Sequence, residues 1–163
     1  MTSTPVVLAV GADFAGVDLK NLIAAKLGND DRVAEVIDFG VADTSDQTAY
    51  PDIGYEVAAA VADGRATRGL LVCGTGIGMA ISANKVPGIR ATVAHDSYSV
   101  ERSVLSNNCQ VLTLGARVIG PELALRLATE WLDYEFDDTS PSSAKVARIS
   151  AIEENAKAAS TRS

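Results

Sequence analysis

The sequence is short of aromatic residues, cysteine, histidine and positive charge, and each shortage removes a class of protein. Phe, Trp and Tyr make up 5 % of the 163 residues, so Ala, Val, Leu and Ile must fill whatever core forms. Two cysteines, Cys73 and Cys109, are too few for a disulfide framework. In a reducing cytosol both are expected as free thiols. The single histidine, His95, stands at no recognisable metal spacing from either cysteine, and no metal site is expected. Lys and Arg number 14 against 21 Asp and Glu, for a net charge of −7. That balance argues against a general nucleic-acid binder, which needs a basic face to displace counterions. It still allows an anionic small substrate, because a few convergent Arg or Lys residues make a local positive pocket. No apolar run approaches the roughly 20 residues that span a bilayer. Residues 1–5 lack the basic and apolar regions of a secretory signal. A cytoplasmic protein without a membrane partner is expected.

What is present is an alternation of short apolar runs with helical patterns. Runs at 6–10, 33–38, 70–73, 89–94 and 110–114 read as strands. Leu19, Ile23 and Leu27 mark one helix face, with Gly28 as its C-cap. Pro51 opens a second helix with Ile53, Val57 and Val61 on one face. Further helices are predicted from the glycine loop to about 84, over 97–105, and from Pro121 with Leu123, Leu127 and Trp131 on one face. A polar break at 137–143 precedes a last helix at about 144–159, a candidate for packing on a partner subunit. Five strands alternating with helices predict an α/β fold. The expected form is a three-layer α/β/α, Rossmann-like, doubly wound parallel sheet with an extra C-terminal helix, all in one domain over 1–163.

Ligands in such folds sit beyond the C-terminal ends of the strands. That rule nominates Asp13, Cys73, the Gly74–Gly78 loop and His95 with Asp96. Spacing leaves three readings of Cys73-Gly74-Thr75-Gly76-Ile77-Gly78. A dinucleotide fingerprint has its first two glycines and an acidic residue, Asp96, about 20 residues on. Its third glycine would have to stand where Met79 does. A tight turn with a buried cysteine as small apolar filler is the second reading. The third is acid–base catalysis: a helix start favours the thiolate, and a thiolate can take a proton from carbon beside a carbonyl. Loop N–H groups can then hold the developing oxyanion. Cys109, ahead of a strand, reads as structural.

The same string, followed by Ser82-Ala83-Asn84-Lys85-Val86-Pro87-Gly88-Ile89-Arg90, resembles the type B ribose-5-phosphate isomerases and the related galactose-6-phosphate isomerase subunits. Other matching segments are Gly11-Ala12-Asp13-x-Ala15-Gly16, Asp38-Phe39-Gly40, Tyr50-Pro51, Asn107-Asn108, Gly115-x-Arg117-Val118-Ile119-Gly120 and the helix around 149–153. The resemblance implies aldose–ketose isomerisation of a sugar phosphate through a cis-enediolate, with no metal or cofactor. It implies a homodimer, or a dimer of dimers, with sites shared between subunits. Cys73 matches the base that moves a proton between C1 and C2. Thr75 matches the residue that assists exchange between the oxygens. Gly74, Gly76, Ile77 and Gly78 match the anion-stabilising loop. Asp13 and Asn107 match substrate-hydroxyl contacts, Tyr50 a pocket wall and Arg117 a phosphate ligand.

Three positions depart from that pattern. A phosphate-binding histidine after the first-strand aspartate is here Phe14. A histidine before the Asn-Asn pair, tied to ring opening, is Ser106. Of an arginine pair after the polar break, Lys145 matches one position and the other falls near Pro141. His95 is the expected substitute, as acid–base group or phosphate ligand; the alternative is a loop histidine bonded to Asp96. Arg102 is either a phosphate contact or a solvated surface arginine. Ribose 5-phosphate is the first expected substrate. A tetrose 4-phosphate cannot close into a furanose, so loss of the ring-opening histidine also points to the erythrose/erythrulose 4-phosphate pair. Allose 6-phosphate and galactose 6-phosphate stay open. A non-catalytic sugar-phosphate binder is the alternative of another class.

Overall fold

The computed structural model describes residues 4–161. Most of the 1–5 segment read above for a secretory signal lies outside the described residues. The chain alternates β1 (Val6–Ala12), α1 (Val17–Leu27), β2 (Val33–Asp38), α2 (Tyr50–Ala62), β3 (Arg68–Cys73), α3 (Ile77–Ala83), β4 (Ala91–Val93), α4 (Ser97–Leu105), β5 (Val111–Gly115), α5 (Pro121–Trp131) and α6 (Ser143–Ser160). All strand pairs are parallel, in the order β2-β1-β3-β5-β4. From β1 the chain goes to β2 on one side and then to β3 on the other, with β4 at the far edge and β5 inserted between, so the switch point lies between β1 and β3.

Alternate residues of each strand face opposite layers. Leu8, Val10, Leu70, Val72, Leu112 and Leu114 pack under α1, α4 and α5. Ala9, Leu71 and Val111 pack under α2 and α3. Both faces of the central strands β1, β3 and β5 are covered, as their apolar runs predict. No helix among the described residues is long and apolar enough to cross a membrane.

Several boundaries move. β1 runs on through Ala12 because its backbone pairs with β3 as far as Val72. β4 shrinks from 89–94 to three residues. Ile89 is held in a turn by Val86, and the Arg90 N–H donates to the Gln110 side chain instead of a strand carbonyl. On α5 the buried face is Ala124, Leu127, Ala128 and Trp131, while Leu123 is exposed. The helical period places Ala124 with Leu127 and Trp131 better than Leu123. α6 buries only Val146.

One ion pair sits beneath the candidate site. The Lys20 ammonium, 2 % exposed, donates to Asp38 Oδ2 at 2.5 Å. Asp38 Oδ1 accepts the Gly40 N–H at 2.8 Å. One carboxylate thus ties α1 to the end of β2. Asp38→Ala strands a buried ammonium and is expected to lower unfolding free energy by about 2 kcal/mol, less than for a fully buried pair because water reaches Asp38. Lys20→Met replaces the stem and removes the charge, and is expected to lose less. Urea melts of the two variants check the order; a larger loss in Lys20→Met overturns it.

Candidate active site

The end of β3 carries Cys73, only 5 % exposed. Its sulfur accepts the Gly76 N–H at 3.1 Å, a contact that strengthens when the sulfur is negative. Gly76 has φ +80, a conformation that favours glycine. A Cβ there would also stand 3.0 Å from the Leu114 backbone. The loop is stitched to the β5–α5 turn. The Ala116 N–H donates to the Cys73 carbonyl at 2.9 Å and the Arg117 N–H to the Gly74 carbonyl at 3.0 Å. The Thr113 hydroxyl donates to the Gly76 carbonyl at 2.9 Å. These bonds hold the loop rigidly against β5.

Around the sulfur the neighbouring groups have distinct chemistry. Thr75 Oγ1 accepts the Ile77 N–H at 3.3 Å, which leaves its hydroxyl proton free to donate outward. The Arg117 side chain lies across Gly74 and has no carboxylate partner among the described residues, so its charge is available to an anion. The Tyr50 ring covers Gly78 so closely that a Cβ there would stand 2.5 Å from it. Asp13 follows β1 beside the end of β3. Its Oδ1 accepts the Ala15 and Gly16 N–H groups at 3.0 and 3.2 Å, and Oδ2 is left for a ligand. Phe14 is exposed on the same loop. His95 follows β4, and its Nε2 accepts the Gly115 N–H at 2.9 Å. Its partner is therefore Gly115; Asp96 instead caps α4 by accepting the Ser99 N–H at 2.8 Å.

Cys73, Thr75, Gly74, Gly76, Ile77, Gly78, Asp13, Phe14, Tyr50, His95 and Arg117 thus share the C-terminal edge of the sheet. Asn107, Arg102 and Lys145 do not. α4 carries the chain back to the start of β5, where Arg90 Nε donates to the Asn108 carbonyl. Asn107 Nδ2 donates to the Arg102 carbonyl at 3.1 Å. Cys73 is in register with Gly115 at the other end of β5, about 13 Å away at a strand's rise per residue. Arg102 pairs with Glu101 and reaches Ser106 Oγ at 3.4 Å. Lys145 is exposed near the start of α6, a helix moored at the α3–β4 turn by the Glu153 carboxylate accepting the Gly88 N–H. Cys109 stands with the Asn107 group, its thiol pushed up to about 11 chiefly by burial, which suits a structural role. Sequence reasoning missed Gly115 as a site residue. It stood inside a matched motif, but nothing local pointed to His95.

A buried thiol, an adjacent hydroxyl, a glycine loop and a guanidinium with no carboxylate partner among the described residues meet at the switch point. Together they are groups able to move protons on a small anionic substrate. The family model for ribose/galactose isomerases matches residues 8–149. D-erythrulose-4-phosphate isomerase 2 of Mycolicibacterium smegmatis is 55 % identical over 146 residues, covering 90 % of this chain and 96 % of that one. D-erythrulose-4-phosphate isomerase of Pectobacterium atrosepticum is 49 % identical, covering 92 % and 97 %. The structure of Clostridium thermocellum ribose-5-phosphate isomerase B superposes with TM-score 0.85 at 42 % identity, covering 91 % and 97 %. The chain belongs to the ribose/galactose isomerase family of sugar-phosphate isomerases.

Proposed function

We propose that this chain interconverts D-erythrulose 4-phosphate and D-erythrose 4-phosphate, with Cys73 as the proton carrier. From ketose to aldose, the Cys73 thiolate takes a proton from C1. The C1–H electron pair forms the C1=C2 bond, and the carbonyl π pair moves onto O2. N–H groups of the Gly74–Gly78 loop face this oxyanion, where fixed dipoles act without reorganising. The Thr75 hydroxyl relays a proton from O1 to O2. The thiol then returns its proton to C2, and no atom is gained or lost. Asp13 Oδ2 holds a substrate hydroxyl, Tyr50 and Phe14 wall the pocket, and Arg117 receives the phosphate. Asn107 and Lys145 complete the site from a second copy. Exposed Ile77, Ile81, Ile149 and Ile152 offer apolar surface for that contact.

The observation that carries the choice of sugar is Ser106. The position that the family resemblance ties to ring opening holds no imidazole, and a four-carbon 4-phosphate has no furanose to open. The names of the Mycolicibacterium and Pectobacterium relatives support the same substrate. They move it ahead of ribose 5-phosphate, the first expectation from sequence. Ribose 5-phosphate is the second reading, favoured by the Clostridium structure. Measured side by side, kcat/KM is expected to favour erythrulose 4-phosphate by at least about tenfold over ribose 5-phosphate and allose 6-phosphate. A preference of about a hundredfold for ribose 5-phosphate would sink the four-carbon reading. Run in D2O, the assay also excludes a mere binder, which exchanges no carbon-bound proton.

A further inference from the structure

The one imidazole of the chain is already engaged. β4 pairs with β5 only as far as Thr113, so no strand carbonyl remains on that side for the Gly115 N–H. His95 Nε2 takes that place at 2.9 Å. Accepting there requires the proton on Nδ1. Gly115 is the residue in register with Cys73, and a Cβ on it would stand 2.8 Å from the Thr75 backbone. The next two residues bond the Cys73 and Gly74 carbonyls, and Arg117 lies over Gly74.

We propose that His95 is a positioning residue whose neutral imidazole clamps Gly115, and through it sets the Cys73–Thr75 loop against Arg117. This rests on the isomerase reading and deepens it: His95 acts through the turn, and proton transfer stays with Cys73 and Thr75. A proton on Nε2 would set donor against donor and release the clamp. Burial holds the imidazole below the ordinary histidine range, against the Asp96 carboxylate, which favours the charged form. Asp96 comes from its own turn; Cys73 and Arg117 are the titratable and charged groups on the neighbouring β3 and β5 turns. A depressed folded-state value means that the contribution is present above the ordinary histidine range and is lost as pH falls through the lower value.

The test compares wild type, His95→Gln and His95→Ala. It reads kcat on D-erythrulose 4-phosphate from about pH 5 to pH 8, together with hydrogen exchange of the Gly115 amide. Glutamine brings an acceptor oxygen close to the place of Nε2 but cannot relay a proton. His95→Ala is expected to lose about tenfold in kcat, with a smaller change in KM, and to lose protection at Gly115. His95→Gln is expected to recover most of that rate and the protection. On acidification the wild type is expected to lose protection at Gly115, while the Gln variant keeps it. A Gln variant as slow as the Ala variant, or an Ala variant as fast as the wild type, overturns the clamp. If His95→Ala does not fold, the Gln variant and the pH dependence of Gly115 exchange decide it. If the wild type turns over no sugar phosphate, the isomerase reading falls, and amide exchange still decides the clamp.

Discussion

Cys73→Ala is expected to lower kcat on the preferred sugar phosphate by about a thousandfold or more, with KM little changed. The sulfur is buried, able to carry charge and met by a backbone N–H. Asp13 is the nearest rival, but one of its oxygens is spent on the Ala15 and Gly16 N–H groups. His95 has its acceptor nitrogen spent on Gly115. Removing the sulfur leaves a small void, expected to lower stability by only about 1 kcal/mol, so lost rate will not be lost fold. Cys73→Ser keeps the size and is expected to stay slow, because an alcohol ionises far less readily than a thiol. Exchange of the C1 proton into D2O is the sharper readout. A Cys73→Ala enzyme within about tenfold of wild type would assign the base elsewhere.

Gly16→Ala is expected to lower unfolding free energy by more than about 3 kcal/mol, a loss driven by space and not by backbone angle. Gly16 has φ −109, which any residue can adopt. A Cβ there would lie 2.4 Å from the Val72 carbonyl oxygen and 2.6 Å from its carbon. Those atoms belong to the backbone of a central strand and cannot turn aside. The β1–α1 loop would have to lift off β3, taking the Asp13 turn with it beside Cys73. Gly88 is the control. It has φ +84 and nothing within 4 Å of a built Cβ. Gly88→Ala should show only the penalty of a left-handed L-residue, about 1 kcal/mol. Thermal melts should separate the two by several degrees, at about 2–4 °C per kcal/mol for a chain of this size. Equal losses would refute the packing account of Gly16.

Most elements were legible because they are written locally. Leu19, Ile23 and Leu27 sit on one helical stripe and are buried there. Gly28 follows that helix as expected, bonding back to Ala24. Pro51 stands in the first turn of α2. The same local reasoning misplaced Leu123, since either of two neighbouring stripes on α5 could face the sheet and only packing chooses. It also lengthened β4, because Ile89 and Arg90 look like strand residues until a turn and the Gln110 side chain take their backbone groups. At the site, the cysteine–glycine loop and the residues after each strand were readable from pattern. Lys20 was not, because a lysine in a helix reads as solvated until α1 is laid against the end of β2.

The alternation of strand and helix, the glycine loop behind Cys73, Ser106 where the family pattern has histidine, and the family itself are properties of the sequence. They depend on neighbours in the chain, and neighbours are what a sequence displays. The order β2-β1-β3-β5-β4 is a property of the fold, and it decided the rest. By placing β5 beside β3, it set Gly115 against Cys73, Arg117 over Gly74 and His95 within reach of Gly115. By running α4 back to the start of β5, it set Asn107 at the opposite end of β5 from the same chain's Cys73. Such contacts join residues tens of positions apart, and only strand order and helix placement bring them together.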